Sequence, residues 1–376
     1  MILPSVTHPI GDFVRENVPN ILGYLPEFIQ PYIPSAEIAT FINIIICMVA
    51  IAIIGIAPVP VLIYMERKVC AHIQCRLGPM RLGPHGVLQL VADIAKLLFK
   101  EVYAPKGADK FLFYLAPIFV LTAPFLNLCI IPFDKNLQVA DLSVAIPFIL
   151  AMNGFGILST LLGGWASNNK YSLISSLRSG AQIISYEISF AMILLLVVML
   201  AGSASLGEIT ASQSGHFWDW WIFKAPGLGI LAFLMFLVSS TAELNRAPFD
   251  IAEAEQELTG GFHTEYNGMA FAMFYLAEYI NLFTTSCIAT VCFLGGYHAP
   301  TIGILAIDNI LNFVPGIVWF LGKAFFVVWI YMMFRWTFVR PRVDQLMALE
   351  WKFLLPANLL LLILGVVFLA FGWILP

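Results

Sequence analysis

The sequence predicts an all-α integral membrane protein with about eight transmembrane helices and an amphipathic interfacial helix in the first inner loop. Three observations carry that prediction. Of the 376 residues, 60% are hydrophobic and 11% are charged, against about 25% charged in soluble domains. The mean hydropathy is +0.88. The apolar residues come in long runs of helical span length, unlike the ten-residue alternating segments of a membrane barrel.

Residues 1–36 carry Asp12, Arg15, Glu16, Glu27 and six prolines. They lack the basic end and apolar core of a signal peptide and read as an outer or interfacial arm. Residues 37–376 form one transmembrane helical domain, with spans expected near 37–63, 111–132, 144–164, 181–201, 228–243, 269–294, 316–338 and 354–374. Trp218, Trp220 and Trp221 precede the fifth span like an interfacial anchor. Loops 64–110, 165–180 and 243–268 and the segment 335–353 hold fifteen of the nineteen Lys and Arg residues. The positive-inside rule puts these on the cytoplasmic side and both termini outside. No internal repeat of the kind that builds many transporters is visible. The net charge of −4 gives no footing for nucleic-acid binding.

In the first inner loop, Gly78-Pro79 and Gly83-Pro84 force turns. Residues 86–102 then read as an amphipathic helix. Gln89, Asp93, Lys96 and Lys100 share one stripe, and Val87, Leu90, Val91, Ile94, Leu97 and Leu98 cover the rest. Such a helix lies in the interface plane with its polar stripe against protein; a snorkelling surface helix is the plainer alternative.

The segment 243–266 holds six carboxylates, Glu243, Asp250, Glu253, Glu255, Glu257 and Glu265, and one cation, Arg246. Pro248 and Gly260-Gly261 bracket a short helix expected over 249–258, with Asp250, Glu253 and Glu257 on one stripe and Glu255 pointing elsewhere. Like charges and desolvation beside a membrane raise carboxyl pKa values, so a shared proton is expected; a solvated acidic loop is the alternative. Glu187 and Glu278 lie inside spans. Their burial cost points to a proton or ion route, or else to helix–helix hydrogen bonds from neutral acids. Arg178 can pair with the loop acids.

The six cysteines, Cys47, Cys70, Cys75, Cys129, Cys287 and Cys292, read as packing residues. The histidines form no ligand set, so no metal site and no redox centre is expected in this chain. No nucleophilic triad, Walker loop or dinucleotide fingerprint is present.

Several stretches together resemble one family. They are Glu66-Arg67-Lys68, Arg76-Leu77-Gly78-Pro79, Arg81-Leu82-Gly83-Pro84, Leu88-Gln89, Ala92-Asp93 and Lys96–Glu101. Further along come Ser176–Glu187, Glu243–Glu257, Gly261–Tyr266, Phe271–Tyr279 and Arg335–Pro356. The chain is similar, from residue 38 onward, to one membrane component of proton-pumping NADH:quinone oxidoreductase (respiratory complex I), the H subunit of bacteria and chain 1 of mitochondria. Met80 departs from the Asn that the family commonly has there, and the N-terminal arm finds no match.

The resemblance implies a tunnel by which quinone, ubiquinone or menaquinone, reaches a peripheral iron–sulfur cluster, and carboxylates that couple its reduction to proton translocation. Glu66, Arg67, Asp93, Lys96, Arg246, Phe249, Asp250, Phe271 and Phe274 become quinone-binding candidates. Glu187, Glu243, Glu253, Glu255, Glu257 and Glu278 become proton-route candidates, with Arg178 tuning the loop acids. NADH, FMN and iron–sulfur clusters then belong to partner subunits, and the catalytic step is not carried by this chain alone. The implied partners are the peripheral quinone-site and iron–sulfur subunits, the small membrane subunits and the antiporter-like pumping subunits. The implied place is the bacterial inner membrane rather than the mitochondrial one. The alternatives are the equivalent subunit of a hydrogenase or formate-hydrogenlyase complex, and a stand-alone secondary cation or proton transporter.

Overall fold

A computed structural model describes residues 45, 48–135, 137–224, 227–251, 257 and 259–372, apart from the side chains of 305–307 and 310. The expected arm over 1–36 lies outside these residues, as do Glu253 and Glu255 and hence the stripe they were to share with Asp250 and Glu257.

Among the described residues, seven helices are long and apolar enough to cross a membrane and one apolar helix is shorter, which matches the eight expected spans in number. They are α1 (Met48–Ile73), α3 (Lys110–Leu128), α4 (Ala145–Ala166), α5 (Lys170–Ala201), α6 (Leu228–Glu243), α7 (Gly268–Phe293), α8 (Gly316–Thr337) and α9 (Val343–Ala370), and between the first two lies the amphipathic α2 (Leu88–Phe99). α7 is the most enclosed long span and packs on α1, α2, α3 and α8. Its buried hydroxyls stay satisfied within the helix: Thr284, Ser286 and Thr290 each donate to the carbonyl four residues back at 2.8 Å. The main core gathers Phe190, Phe236, Phe283, Phe293 and Phe320 between α5, α6, α7 and α8.

Three helices outrun the apolar runs at the ends that carry the basic loops. α1 continues ten residues past the expected 63, because Glu66 finds partners there that its charge requires. The expected loop 165–180 is mostly helix, and the connection between α4 and α5 is only 167–169. Asn169 caps α5, its Oδ1 accepting from the Tyr171 amide at 3.0 Å. The serine-rich first turns look like a loop by hydropathy, yet Ser172, Ser175, Ser176 and Ser179 are buried. They let α4 approach closely: a Cβ on Gly164 would stand 2.3 Å from the Ser176 side chain. At 32 residues, α5 is about 48 Å long and extends beyond a hydrocarbon core of about 30 Å. α6 has only 16 residues, about 24 Å. It is shorter than a hydrocarbon core of about 30 Å, and Leu244, Arg246 and Phe249 of the chain that follows are buried in protein.

α9 begins at Val343, eleven residues before the expected 354. Pro356 cannot donate to the carbonyl four residues back, and a π-turn over Glu350–Leu354, with the Leu355 amide on the Glu350 carbonyl, absorbs the mismatch. In α2 the predicted polar stripe is partly turned to protein: Gln89 donates to Asp93 at 3.0 Å, and Asp93 pairs with Arg67 of α1 at 2.7 Å. Lys96 and Lys100 are exposed, and Leu88, Val91, Ile94 and Leu98 face outward where an interfacial helix meets lipid.

Candidate functional site

Two cavities gather several of the charged candidates: Glu66 and Arg67 line one, and Glu243 and Glu278 line the other. The larger, about 400 Å³, opens between α1, α7 and α8, and Glu66, Arg67, Tyr275, Tyr279, Arg335 and Trp336 are among its lining residues. Glu66 is 5% exposed and both its oxygens are engaged. Oε2 accepts from Arg246 Nη1 and from the Tyr279 hydroxyl, each at 2.8 Å. Oε1 takes a close contact from Arg335. The Arg246 guanidinium also stacks on the Tyr279 ring, 4.3 Å from its centroid. A buried carboxylate needs such complete pairing to remain charged. Burial alone would pull Arg246 down, but Glu66, then Tyr279 and Glu278, hold it above its ordinary value.

The smaller chamber, about 80 Å³, lies between α3, α4, α5, α6 and α7 and is large enough for several waters. Glu243, Glu278, Asn153 and Asn281 supply its polar wall, and Phe262 and Phe274 close it. Asn153 Nδ2 donates to Glu243 in a close contact, and the Asn127 amide donates in turn to Asn153 at 2.9 Å. Glu187 lies on the α4 side of α5, where a Cβ on Gly154 would meet its Oε1 at 3.5 Å, and it is in electrostatic contact with Glu243. His263, between Phe262 and Phe274, places Nε2 3.7 Å from Glu278. Arg246 reaches both cavities, pairing with Glu66 in one and interacting with Glu278 of the other.

The quinone candidates therefore separate. Glu66 and Arg67 line the larger cavity, Arg246 joins them through Glu66, and Asp93 through Arg67. Lys96 is exposed. Phe274 belongs to the smaller chamber, while Phe271 flanks Tyr275 at 6.0 Å. Phe249 is buried elsewhere, 5.9 Å from the Tyr186 ring, and Asp250 beside it is half-buried. Among the proton-route candidates, Glu187, Glu243 and Glu278 are brought together, and Arg178 pairs with Glu257 at 3.0 Å on an exposed surface.

Tyr275, Tyr279, Arg335, Trp336, Asn153 and His263 were not singled out from the sequence as site residues. Neutral polar side chains within apolar helices make no charge run. Arg335 announced itself only as a basic residue at a span's inner end.

A model of the family described as NADH dehydrogenase matches residues 44–366. A protein of Phocaeicola vulgatus, named as the H subunit of NADH-quinone oxidoreductase, is 47% identical over 342 residues, covering 88% of this chain and 93% of the relative. One of Bacteroides thetaiotaomicron with the same name is 47% identical over 358 residues, covering 94% and 98%. A Geobacter sulfurreducens protein, which bears that name with the number 1, is 43% identical over 325 residues, covering 81% and 88%.

Proposed function

The chain belongs to this NADH dehydrogenase family, as an H subunit of NADH-quinone oxidoreductase, and on that premise we propose that it guides quinone to its reduction site and couples that reduction to proton translocation. It is a multi-pass membrane subunit of an oxidoreductase complex. The reading places it in the bacterial inner membrane among the peripheral and pumping subunits of complex I, which hold the NADH site, FMN and iron–sulfur clusters.

One observation carries the reading: Arg246 pairs with Glu66, which lines the larger cavity, and interacts with Glu278, which lines the smaller. The larger has the size of a small-molecule site and an aromatic and apolar wall suited to a quinone ring and tail. Reduction of quinone to quinol takes two electrons from a partner's cluster and two protons. A negative charge arising in the larger cavity competes with Glu66 for Arg246 and Arg335. That weakens the field Arg246 exerts on Glu278, and the chamber that Glu278 shares with Glu243, itself in electrostatic contact with Glu187, gives the change a path to proton movement. Glu66 is already saturated by its partners, so its role in this scheme is to hold the two arginines, and the protons come from other groups.

The test is proton translocation per NADH in the purified, membrane-reconstituted complex carrying Glu243→Gln or Glu278→Gln. NADH oxidation by an artificial acceptor should persist, while quinone-coupled pumping falls at least tenfold. Unchanged pumping in both variants overturns the coupling part of the reading. Solute transport by the chain alone, without flavin or iron–sulfur partners, would favour the transporter alternative.

A further inference from the structure

On a different face of α5 from Glu187, about 120° around the helix, runs a second buried polar file. Ser179, Gln182, Tyr186 and Ser189 recur at spacings of three and four residues and so share one helical stripe; all four are buried. Gln182 Nε2 donates to the carbonyls of Ala242 and Phe249 at 2.8 and 2.7 Å, which ties the file to the start of the acidic segment. The Tyr186 hydroxyl donates to the Leu346 carbonyl of α9 at 3.0 Å. One turn on, Ser189 donates in a close contact to Oε1 of Glu350. Eight residues along α9 from Glu350, on the same face, stands buried Asn358.

Glu350 is 0% exposed. Ser189 lies twelve residues, about 18 Å, from the outer end of α5, so the pair sits deep in the membrane. No Lys or Arg pairs with Glu350 among the described residues, and Tyr186 interacts with it electrostatically. Its Oε2 is buried with no hydrogen-bond partner among the described residues. The same holds for Gln182 Oε1, Ser179 Oγ and both polar atoms of the Asn358 side chain. Unpartnered buried polar atoms are costly and rare singly. Here they are strung along one interface, and Glu350 sits on a π-turn, a feature that often marks functional positions.

One hydroxyl donor does not by itself offset the desolvation of a buried carboxyl group. A purely structural acceptor for Ser189 would not require an acid. We propose that Glu350 is a further proton-exchanging carboxyl group, serving a branch that runs from the 242–251 segment along Gln182 and Tyr186 toward Asn358, with water as the ligand bridging the unpartnered atoms. This branch rests on the coupled pumping proposed above but uses residues outside the Glu187–Glu243–Glu278 set. Glu350 gives its proton to one neighbouring water and recovers one from another, so the branch changes neither its net charge nor its redox state over a cycle.

The test uses the whole complex with Glu350→Gln, which keeps an acceptor for Ser189 but cannot exchange a proton, and with Ser189→Ala. The readouts are infrared difference spectra on quinone reduction, in H2O and D2O, and protons translocated per NADH. Expected in the native complex is a protonated-carboxyl C=O band that shifts in D2O, disappears in Glu350→Gln and moves in frequency in Ser189→Ala. Pumping should fall severalfold in Glu350→Gln, with artificial-acceptor activity retained. A difference spectrum unchanged in Ser189→Ala overturns the proposal even if Glu350→Gln does not assemble, and so does native pumping in an assembled Glu350→Gln complex. Loss of pumping in Glu243→Gln alongside normal pumping in Glu350→Gln would sink this branch alone, whereas normal pumping in Glu243→Gln and Glu278→Gln would sink the parent reading.

Discussion

Arg246 donates to Glu66 across 2.8 Å although 180 residues separate them, and both side chains are more than nine-tenths buried. Removing one partner of a buried pair typically costs about 3–5 kcal/mol, since the other charge is left unpaired. Arg246→Leu should fall near the lower end, about 3 kcal/mol, because Arg335 and Tyr279 still hold Glu66. The thermal midpoint of the isolated complex checks this. Arg246 is held above its ordinary value, so its contribution is fully present at every pH below the ordinary arginine range and should not vary across the working pH range.

Gly164 is a packing prediction. Its added Cβ would meet the Ser176 side chain at 2.3 Å and the Ser172 carbonyl at 2.9 Å. Gly164→Ala should therefore cost about 1–3 kcal/mol, as overpacking does. It should lower the yield of assembled complex, with quinone affinity in the assembled fraction preserved.

His298, in the turn after α7, titrates below its ordinary value because burial, and then the Lys323 charge, disfavour imidazolium. Lys323 donates to the Leu294, Gly296 and His298 carbonyls at 2.7–3.0 Å, and Tyr297 and Asp134 are the other titratable groups at this turn. With the folded value depressed, the stability from neutral His298 is present above about pH 6.5 and is lost as pH falls toward the folded value. Protection of the 294–298 amides from exchange, corrected for the intrinsic slowing of exchange with falling pH, should drop between neutral pH and pH ~5, and His298→Gln should remove that dependence.

Arg178 and Glu257 form an exposed pair at 3.0 Å, of a kind worth under about 1 kcal/mol. Arg178→Gln should leave the thermal midpoint unchanged within about 1 °C, while the salt dependence of quinone-coupled turnover becomes shallower.

The span count, the interfacial helix and the position of the acids follow from hydropathy and charge, which is why α2 and the 243–251 segment lie where the sequence puts them. The inner ends of α1, α5 and α9 do not, because Glu66, the serine run and the Arg342-to-Lys352 stretch all look like loop until their partners on other helices are known. Glu66 and Arg246 were each legible as charged residues near a membrane. Their pairing was not, nor was the role of Arg335, because contacts over such separations leave no local pattern. Glu350 was hidden for the same reason, embedded in a charged stretch that hydropathy assigns to a loop.

The central claim is that the cavity between α1, α7 and α8 receives quinone. A photoreactive quinone analogue bound to the intact complex, followed by peptide mapping of this chain, tests it most directly. Labels should fall on 63–79, on 275–279 and on 335–336, and excess native quinone should suppress them. Labelling confined to other subunits, or unaffected by quinone, would contradict the account.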